Sequence, residues 1–191
     1  MSDATARALE TRLGRPAYAA LIVIAGAALM TLAAKVQVPF WPVPMTLHTL
    51  AVMAFAVAFG PRIAVSIFLT YLAAGAAGLP VFSGSPERGI GLAYMVGPTG
   101  GYLAGYLIAS WLVGVMAAGK GIVGRVGAML LGMLAIYAID TAWLAIYVPV
   151  GQLLAVGVMP FLLGDLVKIA MVAAGSTLLP AALGRRGSKS Q

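Results

Sequence analysis

The chain has no cysteine and one histidine, His48. The first absence excludes disulfides, thiolate metal sites and cysteine nucleophiles. The second excludes a metal site built on several histidines. Charge is scarce too. Only 9% of the 191 residues are Asp, Glu, Lys or Arg, against about 25% in a soluble domain. No G-x-x-x-x-G-K-[ST] loop occurs, so any energy input comes from an ion gradient or another subunit. No polar stretch is long enough to bury a core outside a membrane.

What is present is hydrophobic, at 62% of residues. The composition predicts an all-α integral membrane protein, a single domain over residues 1–191. At roughly 20 apolar residues per span, six transmembrane helices are expected at about 17–35, 46–60, 62–79, 98–118, 122–147 and 160–183. A short N-terminal segment, 1–16, and a C-terminal tail, 184–191, flank them. Barrel strands are excluded, because the runs are too long and alternate too little. Asp3 and Glu10 interrupt the first basic stretch, and residues 16–34 carry no charge. That pattern reads as a retained first span rather than a cleaved leader.

The net charge of +7 is distributed by side. With six spans, the termini and the second and fourth loops share one face. That face holds Arg7, Arg12, Arg15, Arg62, Lys120, Arg125, Arg185, Arg186 and Lys189, while the other holds Lys35 and Arg88. The positive-inside rule then puts both termini in the cytoplasm. The basic balance is topology, with some attraction to anionic lipid, and not a nucleic-acid surface. Proline is concentrated on the opposite side, in the stretches around Pro39, Pro42, Pro44, Pro80, Pro86 and Pro98. Structured loops on one face predict a capped cavity opening there. The second span is short, about 22 Å at 1.5 Å per residue. The preceding Val38-Pro-Phe-Trp-Pro-Val-Pro-Met45 segment is therefore expected to dip inward and wall the site.

Within the last span, Asp165 and Lys168 stand three residues apart. Positions i and i+3 share a helix face. An acid and a base inside a membrane helix are costly unless they pair or hold something. Asp accepts hydrogen bonds and Lys donates them, so together they suit a neutral amide or urea. The structural alternative is an ion pair that locks two helices. Arg88, beside Glu87 in the external loop 82–91, is a candidate partner for a carboxylate or a solvated loop charge. Gly97-Pro98-Thr99-Gly100-Gly101-Tyr102 reads as a helix start with Thr99 as its cap. Its exposed N–H groups favour anions or polar ligand atoms. Asp140 reads as an interhelical hydrogen-bonding group, with a proton or ion site as the alternative. His48 reads as a hydrogen-bonded structural residue. Trp41, Phe82, Tyr94 and Trp143 are candidates to stack on a ring or to anchor at the interface. The small-residue rows Gly97, Gly101, Gly105, Ala109 and Gly124, Ala128, Gly132 read as close helix packing.

Four stretches taken in order resemble the BioY family of biotin transporters, the substrate-binding S components of energy-coupling factor (ECF) transporters. They are Val38 to Leu50, Ala76-Ala-Gly-Leu-Pro-Val-Phe-Ser-Gly84, Gly97-Pro-Thr-Gly-Gly-Tyr102 and Gly164-Asp-Leu-Val-Lys168. The resemblance spans nearly the whole chain. It implies a six-helix fold with an external cavity covered by the first loop. It implies biotin as substrate, no cofactor, no enzymatic activity, and a location in the cytoplasmic membrane. Partners would be a transmembrane coupling subunit and ATPases, with a homo-oligomer left open. Asp165 and Lys168 match the family's polar pair that contacts biotin, whose ureido ring offers two N–H donors and a carbonyl. Arg88 is then the candidate for the valerate carboxylate, with Thr99, Tyr94 and Phe82 completing the expected site. The family usually has Gln where this chain has His48. The first helix lacks a strict Ala-x-x-x-Ala docking motif and offers a looser face of Ala20, Ala27, Thr31 and Ala34. An S component for another small vitamin is the nearest rival. A membrane enzyme using Asp140 or Asp165 as base lacks a second convergent acid, a paired nucleophile or a metal set.

Overall fold

The structure, a computed structural model, describes residues 14–38 and 43–178. The helices are α1 (Arg15–Lys35), α2 (His48–Ala76), α3 (Gly91–Met95), α4 (Gly100–Met116), α5 (Ile122–Leu144), α6 (Leu153–Gly157) and α7 (Met159–Leu178). Strands β1 (Gln37–Val38) and β2 (Met45–Thr46) form a short antiparallel pair, Gln37 opposite Thr46. A 3-10 turn, Val150–Gln152, precedes α6.

The run His48–Ala76 is a helical hairpin. Gly60 breaks it at φ 74° and ψ −179°, a left-handed conformation that glycine adopts without a Cβ penalty. Were the run straight, His48 and Tyr71 would stand about 35 Å apart. Instead the His48 imidazole and the Tyr71 hydroxyl are hydrogen-bonded at 2.9 Å, so the arms fold back on each other. Residues 48–59 and 61–76 therefore match the expected second and third spans, with Gly60-Pro61-Arg62 as the turn. The described residues form six long helical segments. By length and composition, four helices can cross a membrane, the divided α2 among them, and α4 is a shorter apolar helix. The expected spans run too far at their ends. The third stops at Ala76, the fourth is Gly100–Met116, and the fifth stops at Leu144. Residues 145–158 turn and form α6 instead.

Helix α4 is central, packed between α2 and α5, while α1 rests on α2. The glycine row explains the close approach. A Cβ on Gly101 would lie 2.8 Å from Asp140 Cα, and one on Gly105 would lie 2.9 Å from Ile136 Cα. Gly114 packs in the same way on the Pro61 turn, at 2.6 Å. Gly101 and Gly105 of the first row and Gly132 of the second, whose Cβ would lie 2.4 Å from Val113, pack helices as expected, whereas Gly97 precedes α4 and a Cβ on Gly124 would meet the side chain of Lys120. The terminal charges Arg7, Arg12, Arg185, Arg186 and Lys189, and Pro39, Trp41 and Pro42, lie outside the described residues.

Candidate ligand-binding site

At the end of the bundle where β1–β2 and loop 80–90 meet, a narrow cavity encloses about 420 Å³ including its mouth. Only about 20 Å³ of that space is open to a water-sized group, room for roughly one water. Asp165 and Lys168 reach it from the first turns of α7, both buried. Lys168 Nζ donates to Asp165 Oδ1 at 2.8 Å. Each member of the pair has a further partner from elsewhere in the chain. Lys168 Nζ also donates to the Thr46 carbonyl at 2.6 Å, and the Tyr137 hydroxyl of α5 donates to Asp165 Oδ2 at 2.9 Å. Glycine at 164 leaves room for the Met45 side chain, since a Cβ there would lie 2.9 Å from Met45 Sδ and displace it.

The network continues into α2. The Thr46 hydroxyl accepts from the His48 backbone N–H at 3.2 Å and shares a hydrogen bond with His48 Nδ1 at 3.1 Å. His48 Nε2 shares the bond to Tyr71 already described. His48 is thus hydrogen-bonded and structural, and it also lines the cavity. Val43 and Met45 line it too, so the described part of the inward-dipping segment walls the site.

The opposite wall is aromatic and hydroxylated. Tyr94 and Thr99 line it, as do Tyr102, Tyr106 and Phe161. Tyr102 donates to the Gly157 carbonyl at 2.7 Å, and Phe161 meets the Tyr102 ring edge-on at 5.6 Å. Burial raises the pKa of the Tyr94 phenol, and the Thr99 hydroxyl and Arg88 charge offset part of that rise. Thr99 occupies the N-cap position of α4 but makes no side-chain capping bond. Its hydroxyl serves the cavity side instead.

Two expected residues sit off the wall. Phe82 is fully buried and stacks on Tyr94 at 4.7 Å. Its ring fills a notch left by Gly75, where a Cβ would fall 2.0 Å away. Phe82 thus backs the wall without facing the cavity. Arg88 is exposed on loop 80–90, with its stem over Gly84. Trp143 donates to the Gly97 carbonyl at 3.0 Å and is not among the cavity residues. Asp140 makes no interhelical hydrogen bond among the described residues. Both its oxygens are buried without a partner in strict hydrogen-bonding geometry among the described residues, and the Tyr102 backbone N–H of α4 is turned toward the carboxyl. Sequence reasoning missed Thr46, Tyr106, Tyr137 and Phe161 as site residues. Tyr102 and Tyr106, polar-tipped rings at i and i+4 in an apolar span, were the readable signal.

The chemistry of the pair is defined by what it leaves over. An ammonium has three donors and an ionised carboxylate about four acceptor positions. Two of each are used here. One N–H and the remaining carboxylate lone pairs are left over, a remainder complementary to a group that both accepts and donates.

An all-helical membrane protein with a buried acid–base pair at one end of the bundle is the class that the fold and site define. The same architecture occurs in the crystal structure of the S-component for biotin from an ECF-type ABC transporter, at TM-score 0.72 and 22% identity, covering 92% of each chain. In sequence, the chain is 38% identical to a probable biotin transporter BioY of Pyrococcus horikoshii over 143 residues, 75% of this chain and 84% of that protein. It is 36% identical to the biotin transporter BioY of Rhizobium etli over 183 residues, 86% of this chain and 93% of that protein. The BioY family matches residues 6–185, and the chain belongs to it.

Proposed function

We propose that this chain binds biotin at the Asp165–Lys168 pair and is the substrate-binding subunit of a biotin uptake system, transporting rather than transforming its ligand. The observation that carries the reading is the pair itself, buried in the cavity with one N–H and free acceptor positions left over. A ureido ring, with two N–H donors and one carbonyl acceptor, fills that remainder. Family membership supports the same ligand. Tyr94 and Thr99 complete the wall, Phe82 acts through Tyr94, and Arg88 at the loop meets the valerate carboxylate. The three ionised groups then carry one net positive charge, which balances that anion.

The chain is one domain of six crossings in the cytoplasmic membrane, both termini inside, with the cavity opening outward. Support comes from the side-by-side segregation of Lys and Arg and from the Gly60 hairpin. A transmembrane coupling subunit and ATPases drive reorientation. Titration calorimetry of the purified, detergent-solubilised chain tests the ligand and the site together. Tight one-to-one binding of biotin, lost in Asp165→Asn, is the expected result. Unchanged affinity in Asp165→Asn and Lys168→Ala would overturn the site. Binding of a different small vitamin in place of biotin would overturn the ligand.

A further inference from the structure

Lys35 closes α1 and in sequence counts only among the charges of the external side. Its ammonium instead reaches across the chain to loop 80–90. It donates to the Phe82 carbonyl at 3.0 Å and to the Ser85 carbonyl at 2.8 Å. A second tie lies beside it, where the Ser83 hydroxyl donates to Gln37 Oε1 at 2.6 Å. These bonds grip the residues that shape one wall of the cavity. Ser83 lines it directly, and the buried Phe82 ring sets Tyr94 by stacking.

Within the loop, Ser85 N–H donates to the Phe82 carbonyl, Arg88 N–H to that of Gly84 and Gly89 N–H to that of Pro86, and the buried Phe82 ring seats it against Gly75. Gly84 and Gly89 both have positive φ, conformations that glycine adopts without strain and leaves as readily. The charge-assisted bonding from Lys35 is the tie that joins this loop to the end of α1. Helix α1 packs chiefly on α2 and touches the short strand β2. Lys35 thus connects a peripheral helix to the cavity wall.

We propose that Lys35 is a positioning residue that latches loop 80–90 against the end of α1, and that this latch holds the Phe82–Tyr94 wall of the ligand site. The effect on ligand rests on the function proposed above; the latch itself does not. Loss of the latch acts mainly on ligand release, because wall defects of this kind change off-rates more than on-rates.

The test uses the full-length chain with Lys35→Met and Lys35→Arg, read in two ways. Amide hydrogen exchange of the ligand-free protein reads the latch. Lys35→Met should speed exchange across 82–89 and leave α4 and α5 unchanged. Biotin binding reads the consequence. Lys35→Met should raise Kd about tenfold, mostly through faster release, as expected for losing roughly one net charge-assisted hydrogen bond. Lys35→Arg, whose fork reaches the same two carbonyls, should restore most of both signals. Unchanged exchange in 82–89 would overturn the latch. Faster exchange with unchanged biotin affinity would overturn the positioning role, as would failure of Lys35→Arg to rescue binding. A wild-type chain that binds no biotin would count against the proposed function, while the exchange arm still decides the latch.

Discussion

Asp165 and Asp140 are both buried carboxyls on helices of membrane-spanning length, and their surroundings differ completely. Asp165 has Lys168 one turn away and the Tyr137 hydroxyl from α5, with a cavity in front of it. Asp140 has neither oxygen hydrogen-bonded among the described residues. It is wedged where Gly101 lets α4 close on α5, its Oδ1 2.9 Å from where a Gly101 Cβ would be. Burial of an acid alone does not mark a binding site. Partners recruited from separate elements, arranged around unfilled bonding capacity, set the proposed site at Asp165 apart. Tyr137 connects the two acids, since it lies one turn before Asp140 on α5 and donates to Asp165.

The largest effect expected from this contrast is at the pair. Asp165→Asn or Lys168→Met removes one charge and leaves the other buried, a loss of about 3 kcal/mol and so about 100-fold in Kd. Calorimetry measures it. Joining the two substitutions should recover part of the melting temperature and none of the binding, because the stranded charge is gone but the ligand's partners are too. Equal binding losses at Asp140 and Asp165 would break the comparison. Next in size is Gly101→Leu. Its side chain strikes the α5 backbone and Trp143, and overpacking of that kind costs about 1–3 kcal/mol. It should lower thermal stability while the helix content by circular dichroism is kept. Tyr137→Phe sharpens the contrast further. It deletes one hydrogen bond to a carboxylate in the ligand-free protein, about 1.5 kcal/mol of stability, so the melting temperature should fall, and biotin should bind up to roughly tenfold more weakly.

Much of this arrangement was legible before the structure, for identifiable reasons. Helical periodicity fixes i and i+3 on one face, so Asp165 and Lys168 follow from spacing alone. Glycine rows predict close crossings, and Gly101 and Gly105 make them. The Gly60-Pro61 turn follows from local chemistry. What was not legible depends on contacts distant in sequence. Nothing near Thr46 says that its carbonyl meets an ammonium 122 residues away. Phe82 and Arg88 were placed by loop composition, and composition cannot say that Gly75 leaves a notch for the ring or that the Arg88 stem lies over Gly84. Asp140 was expected to bond across helices because a polar group in lipid normally finds a partner. The glycine packing that brings α4 against it offers the Tyr102 backbone N–H, outside strict hydrogen-bonding geometry.

The smallest expected effect therefore belongs to Asp140→Asn. The amide is nearly the same size as the acid, so the close contact with Gly101 is kept. It carries no charge, so the substitution removes the ionised form, the costlier one to bury. Melting temperature should be equal to that of the wild type or above it, and biotin affinity should stay within about twofold, below the tenfold step of 1.4 kcal/mol. Thermal unfolding and calorimetry on the same preparation read both. A Kd raised as far as in Tyr137→Phe would mean that Asp140 acts on the ligand through the neighbouring Tyr102, which faces it and lines the cavity. The distinction between a paired and an unpaired buried acid would then have to be redrawn as two members of one site.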